Sequence, residues 1–273
     1  MKNDLRHKMP PTHPRAFSSP KKDYLMGIYS ICMILLSCCL FIGCSSRKAH
    51  DLRVMSYNIR VGVGMDSKTN LERTAEVIRR VNPDYVGLQE VDSMAERTDW
   101  VDQAKELGRL TGMHPIFAPA IERSQGLYGI AALVKEKPLA IRNISLPGEE
   151  ELRTFLVLEY PDYLLCNTHF SLCKPSRLQS IEIIRNTLAA YNKPAIITGD
   201  FNMNPASEEC LKMGETWALL SDSTQLTFPS DCPNVTLDYI WGHQGHTYTV
   251  KRYEVINEPM ASDHRPIFID VAF

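Results

Sequence analysis

From Leu52 onward, short apolar runs alternate with amphipathic stretches, and nearly every run ends on a polar residue. Leu52 to Arg60 alternates as a strand does and ends in a polar pair, with Gly62 and Gly64 loosening the chain beyond. Asn70 stands where a helix cap belongs; Leu71, Ala75, Ile78 and Val81 keep helical spacing until Asn82-Pro83 stops it. Asp84 to Val91 reads as a buried strand with Gln89-Glu90 at its tip, where a Glu seldom has a packing reason. A second helix is predicted to start at Thr98 or Asp99 and run along Trp100, Ala104, Leu107 and Thr111 to Gly112. Gly126-Leu127-Tyr128-Gly129 leads into the apolar Ile130 to Val134. Turns at Pro147-Gly148 and Pro161-Asp162 then separate three strands of an antiparallel meander, Ala140 to Leu146, Arg153 to Tyr160 and Tyr163 to His169.

Ser176-Arg177-Leu178-Gln179 fits a capping box at the head of the stripe Leu178, Ile181, Ile184, Leu188 and Tyr191. The apolar run Ala195 to Thr198 ends in Gly199-Asp200-Phe201-Asn202, and extended chain sends the Asp200 carboxylate and Asn202 amide to the same side. Such a pair is either an Asx turn or a site for a hard cation or an attacking water. Ser207 is predicted to cap a short helix to Met213. Leu237 to Trp241 makes a strand in which Asp238, if buried, needs a partner. The chain closes on Ser262-Asp263-His264-Arg265-Pro266 and a last apolar strand, Ile267 to Phe273. With no repeat or linker inside it, 51–273 reads as one α/β domain.

The first 50 residues follow a different pattern. Lys21-Lys22 precede an uncharged, mostly apolar stretch, Leu25 to Gly43, of about nineteen residues, as in a signal sequence or membrane anchor. Leu40-Phe41-Ile42-Gly43-Cys44 resembles a bacterial lipobox, which makes Cys44 the expected lipidation site. An uncleaved anchor helix is the alternative, since the length just suffices. Both readings place the domain outside the cytoplasm, tethered to a membrane. The whole-chain charge of -2 conceals this split, because from Asp51 onward 22 Lys and Arg face 30 Asp and Glu, a net near -8. An acidic domain repels a polyanion, so nucleic acid is a disfavoured though not excluded partner. No Cys-x-x-Cys pair occurs, which argues against a zinc ribbon, and Cys166 reads as a buried thiol.

Seven strand ends thus carry Asn58, Glu90, Tyr128, His169, Asp200 with Asn202, Asp238, and Asp263 with His264. Each has a bland explanation alone, but α/β domains gather active sites from strand ends. In this order, the anchors Met55 to Arg60, Pro83-Asp84 through Glu90, Asn167-Thr168-His169, Gly199 to Asn202, Leu237 to Ile240 and Ser262 to Pro266 resemble the endonuclease/exonuclease/phosphatase superfamily. The resemblance implies a four-layer α/β/β/α sandwich, two mixed β-sheets flanked by helices, hydrolysing a phosphoester with Mg2+ or Mn2+. It implies Glu90 as main metal ligand with Asn58 and Asp263 nearby, Asp200 and Asn202 handling the water, and His264, oriented by Asp238, and His169 on the phosphate. Tyr128 stands where the family places a phosphate-contacting tyrosine. One departure is Leu127, where many relatives carry an acidic partner for the first histidine; Glu122 is a substitute candidate, and Arg153 and Arg177 read as surface arginines. The competing class is a non-catalytic surface lipoprotein with the same fold. Against it, none of Glu90, Asp200, Asn202, Asp263 or His264 is missing.

Overall fold

β1 (Asp51–Asn58) and β2 (Tyr85–Ser93) run parallel because the chain between them carries a crossover helix, α1 (Leu71–Val81). In the computed structural model, which describes residues 50–273, Asn70 caps α1 by accepting from Arg73 N at 3.2 Å. Next come α2 (Gln103–Thr111), β3 (His114–Arg123), β4 (Gly126–Val134), β5 (Ala140–Leu146) and β6 (Arg153–Glu159). The parallel device recurs in β7 (Leu164–His169), α3 (Lys174–Leu188) and β8 (Ala195–Asp200). α4 (Glu208–Gly214), β9 (Trp217–Leu219), β10 (Asp238–His243), β11 (Thr249–Val255) and β12 (Ile267–Ala272) complete the chain.

The strands form two six-stranded mixed sheets, ordered β11-β12-β1-β2-β4-β3 and β5-β6-β7-β8-β10-β9. Ala75, Ile78 and Leu107 of α1 and α2 cover one outer face against Met55, Val86 and Leu88. On the other, Ile181, Ile184 and Met213 of α3 and α4 meet Val157, Cys166 and Ile197. Between the sheets lie Val54, Tyr85, Leu165, Ile196, Ile240 and Ile269, which makes the fold a four-layer α/β/β/α sandwich.

Because side chains alternate along a strand, the inner face can be followed two residues at a time. Val54 leads to Ser56 and Asn58, Tyr85 to Gly87 and Gln89, Leu165 to Asn167 and His169, and Ile196 to Thr198 and Asp200. The space between the sheets therefore grades from hydrocarbon, through amides and hydroxyls, to ionisable groups at one end. In the middle zone Asn167 Oδ1 accepts from Gln89 Nε2 at 2.7 Å, while its Nδ2 donates to Leu88 O and Ala131 O at 2.8 and 2.9 Å. Those carbonyls flank a bulge, where Gln89 and Glu90 of β2 oppose Ile130 alone on β4. Glu90 there has φ of 56°, and the bulge turns its side chain out of the strict alternation. Gly87 lets the sheets approach: an added Cβ would stand 2.2 Å from Thr198 Oγ1 and 2.7 Å from Asn167 Oδ1. Both neighbours are held by hydrogen bonds, so Gly87→Ala should destabilise the domain by about 3 kcal/mol in urea unfolding.

Several local expectations are corrected. α2 begins at Gln103, capped by Asp102, because Asp99 and Trp100 take φ of 56° and 59° after a 3-10 turn and cannot be helical. α3 begins at Lys174, which puts Ser176 inside the helix instead of at its cap. The edge strands β3 and β11 escape the sequence pattern; β3 carries Pro115 and Pro119, tolerated at an edge. Cys44 and Leu25 to Gly43 lie outside the described residues, among which no helix is long and apolar enough to cross a membrane. Cys166, Cys173, Cys210 and Cys232 are free thiols.

Candidate active site

The two parallel pairs decide where the polar groups meet. In register, Asn58 lies beside Gln89 and His169 beside Asp200, so four strand ends open on the same side. β10 runs antiparallel to β8 and begins where β8 finishes, which sets Asp238 directly opposite Asp200. β12 pairs with β1, so the segment before Ile267 passes the end of β1, and Ser262 Oγ donates to Asn58 O at 2.7 Å. That contact delivers Asp263 and His264 to the cluster.

Asp200 stands at its centre. Asp200 Oδ2 accepts from Asn58 Nδ2 at 3.1 Å and faces His169 Nε2 at 3.5 Å and His264 Nε2 at 3.6 Å. Its Oδ1 accepts from Asn202 N at 3.0 Å, the Asx turn anticipated from the sequence, now with a buried carboxylate inside it. Burial pushes the Asp200 carboxyl up to about 7, the facing Asp238 adding to the rise and His264 opposing it. His264 Nδ1 bonds Asp238 Oδ2 at 2.9 Å. Burial works against charge on that ring, but Asp238 and Asp200 outweigh it and raise His264 to about 10, so it is an imidazolium at neutral pH.

Glu90 Oε1 accepts from Asn58 Nδ2 at 3.2 Å, so one amide ties Glu90 to Asp200. Burial raises the Glu90 carboxyl, the Asn58 bond opposes this, and the charge of Asp263 adds to it. Asp263 meets Arg60 Nε at 3.4 Å. Glu90 and Asp263, both partly buried and close enough for the Asp263 charge to act on Glu90, form with the Asn58 amide an oxygen-donor set suited to a hard divalent cation. Asp200, Asp238 and His264 also bring ligand-capable atoms within 4.8 Å of one another. A cation there would have to displace the His264 proton from Asp238, so Glu90 with Asp263 is the better fit.

His169, on the far side of Asp200, is buried, and its Nδ1 lies 3.2 Å from Arg153 Nη1. Burial, then Arg153 and His264, hold it well below the usual histidine range, so the ring is neutral. Asn202 Nδ2 lies 3.1 Å from His169 Nε2 and donates to Phe170 O at 3.0 Å. Tyr128 is buried between the Arg97 and Arg123 guanidiniums, 5.2 and 5.3 Å from its ring centre; burial, then Glu90 and Glu151, raise its phenol.

Residues 55–264 match the Endonuclease/Exonuclease/phosphatase family. The chain belongs to that family. No curated protein matches the sequence. Among solved structures, an endonuclease/exonuclease/phosphatase from Beutenbergia cavernae DSM 12333 is 20% identical with a TM-score of 0.66, over 81% of this chain and 71% of that one. A mannosyl-6-phosphatase of Bacteroides thetaiotaomicron VPI-5482 is 19% identical with a TM-score of 0.66, over 81% and 100%. The human Nocturnin catalytic domain with bound sulfate anion is 22% identical with a TM-score of 0.63, over 82% and 96%. At such identities the likeness speaks to the fold.

As a member of the endonuclease/exonuclease/phosphatase family the chain is a phosphoric ester hydrolase. Asn58, Glu90, His169, Asp200, Asn202, Asp238, Asp263 and His264 all converge, with Tyr128 at the margin of the group. Two expectations about the surroundings are corrected. The partner of His169 is Arg153, not Glu122, which sits opposite Leu127 near the tip of the β3–β4 hairpin. Arg153 is no surface residue: it is 6% exposed and bound by Glu150 and Glu151, at 2.9 Å each. Arg177 is taken up by Glu209 and the carbonyls of Ser171 and Leu172, away from the cluster.

Proposed function

We propose that this chain hydrolyses a small or lipid-linked phosphoester outside the cytoplasm, tethered to a membrane by its first 50 residues. The observation that carries the chemical part is the Asp200 carboxylate, set between the neutral His169 and the charged His264 and joined to Glu90 through Asn58. Glu90 and Asp263, with Asn58 beside them, would hold the metal ion, Mg2+ or Mn2+ by the all-oxygen donor set. When bound, that ion supplies positive charge against the phosphate oxygens and the leaving group. Asp200, its carboxyl raised to about 7, accepts a proton from water, and Asn202 keeps that carboxylate fixed through its backbone N–H. His264, held by Asp238, and His169 direct N–H groups at the phosphate as negative charge builds on it. Tyr128 flanks the substrate between Arg97 and Arg123.

A small ester is favoured over nucleic acid by the domain's acidic balance, and the likeness to a mannosyl-6-phosphatase agrees with this. The full-length protein, supplied with Mg2+, is to be offered plasmid DNA, RNA, sphingomyelin, glycerophosphodiesters and phosphorylated sugars. Turnover of at least one small ester is expected at enzyme levels that leave plasmid intact. Nicking of plasmid while every small ester survives would reverse the ranking in favour of a nuclease.

A further inference from the structure

Behind His169 the structure places a cation where an imidazole proton is more often met by an acceptor. Arg153 opens β6 next to β7, the strand that ends in His169. Its guanidinium is buried and its Nη1 points at His169 Nδ1 from 3.2 Å. Arg153 is itself fixed: Nη2 donates to Glu150 Oε1 at 2.9 Å, and Nη1 meets Glu151 Oε1 at 2.9 Å. Glu150 in turn accepts from Ser171 Oγ at 2.7 Å and Leu172 N at 2.9 Å. The turn before β6 is thus strapped to the segment that follows His169, and the guanidinium has little room to swing.

A guanidinium has five N–H donors and no acceptor. A ring nitrogen that accepts from it has to be the lone-pair nitrogen, and the single proton of the neutral ring then goes to the other one. We propose that Arg153 is a positioning residue that locks His169 as the Nε2–H tautomer, so that an uncharged ring presents a fixed N–H donor to the substrate phosphate. The proposal rests on the phosphohydrolase reading for its use of that donor. The groups facing the ring fit it. Nε2 has two neighbours, the acceptor Asp200 Oδ2 at 3.5 Å and the donor Asn202 Nδ2 at 3.1 Å, so two donors compete for the ring's single lone pair. The amide already donates to Phe170 O at 3.0 Å, whereas Arg153 is charged and braced against the ring, so the lone pair goes to Nδ1 and the Nε2 proton faces Asp200. His264, the remaining titratable group nearby, is already charged and disfavours a second imidazolium; Glu150 and Glu151 stand behind Arg153 and neutralise it. A carboxylate in the place of Arg153 would require a proton on Nδ1, and Nε2 could then donate only if the ring were charged. Here the charge sits one ring behind the donor, which frees the donor from titration near neutral pH.

The test is a long-range proton–nitrogen correlation spectrum of the full-length protein in detergent micelles, labelled at histidine, with His169 assigned by its loss in His169→Gln. A pyridine-like Nδ1 and a pyrrole-like Nε2 are expected from about pH 5 to about pH 8. Arg153→Met should give mixed tautomers and a ring that titrates, and Arg153→Lys, which keeps a donor, should restore much of the parent spectrum. In kinetics Arg153→Met should lower kcat about 10- to 100-fold, leave KM less changed, and add a pH dependence centred near the ordinary histidine value of about 6.5. A pyrrole-like Nδ1 in the parent protein overturns the proposal, as does an Arg153→Met spectrum unchanged from the parent. The parent spectrum needs no variant to fold and no substrate to be known. Failure of every candidate ester would therefore count against the function while leaving the tautomer standing.

Discussion

Glu90→Gln is expected to lower kcat/KM on the order of 10³-fold or more, because the ion that Glu90 anchors supplies several kcal/mol of transition-state charge stabilisation. The substitution is nearly isosteric, and the Gln oxygen can still accept from Asn58 Nδ2, so the tie through Asn58 to Asp200 survives. Without metal the Glu90 carboxyl is raised by burial and by the nearby charge of Asp263, so replacing it with an amide relieves strain between like charges. The metal-free variant should accordingly melt at the parent's temperature or higher. Adding Mg2+ or Mn2+ should raise the parent's melting temperature through linkage and leave Glu90→Gln unmoved. A variant that keeps the full metal-dependent shift would remove Glu90 from the ion's ligands and shift attention to Asp200, Asp238 and His264. Because fold and metal response are read in one experiment, loss of activity by misfolding is told apart from loss of the ion.

What the sequence could disclose of this site follows from parity. Asn58, His169, Asp200 and Asp238 sit at strand ends on the inner face, and an apolar run ending in a polar residue is visible in one dimension. The same rule makes Ala195 to Thr198 legible as a buried strand, since it lacks a polar face, but the four-layer arrangement came only with the family resemblance. Glu90 was legible as an oddity, but not for its true reason. Its orientation comes from a bulge that depends on β4 opposing β2, and on Asn167 reaching across from the second sheet to satisfy the carbonyls there. Arg153 was illegible. It follows Glu149-Glu150-Glu151-Leu152, a charged turn by any local measure, and only the pairing of β6 with β7 carries its head beneath His169. The start of α2 was misplaced for a related cause: Trp100 continues a helical spacing, yet it lies in a left-handed turn and stays half exposed. A signal that would have found Arg153 is its three-residue spacing from Glu150 together with two more acids, an uneven charge cluster beside a strand that ends in histidine.

His264→Ala is expected to reduce kcat by about 10³-fold, the range lost when an oriented donor to developing negative charge is removed. Asp238→Asn is the more informative companion. Asp238 Oδ2 holds His264 Nδ1 at 2.9 Å, its Oδ1 is buried without a partner, and it lies opposite Asp200 across the β8–β10 ladder. Removing its charge takes away the largest influence that raises His264 toward about 10 against burial, so the ring's pKa must fall. In the parent the imidazolium persists through neutral pH and is lost only as pH climbs through about 10, so the alkaline limb of kcat should lie in that region. In Asp238→Asn the limb should move to lower pH, with a smaller loss of kcat at acid pH than at neutral pH. The linkage has the same sign for folding. A histidine raised from its unfolded value of about 6.5 gives its full stabilisation below that pH and surrenders it progressively as pH rises through the folded value. Urea midpoints of the parent should therefore decline between neutral pH and about 10 more steeply than those of Asp238→Asn, whose His264 has less to lose. An alkaline limb that stays put in Asp238→Asn would mean that His264 does not carry the proton, and the role of donor to the phosphate would pass to His169 and Asn202 alone.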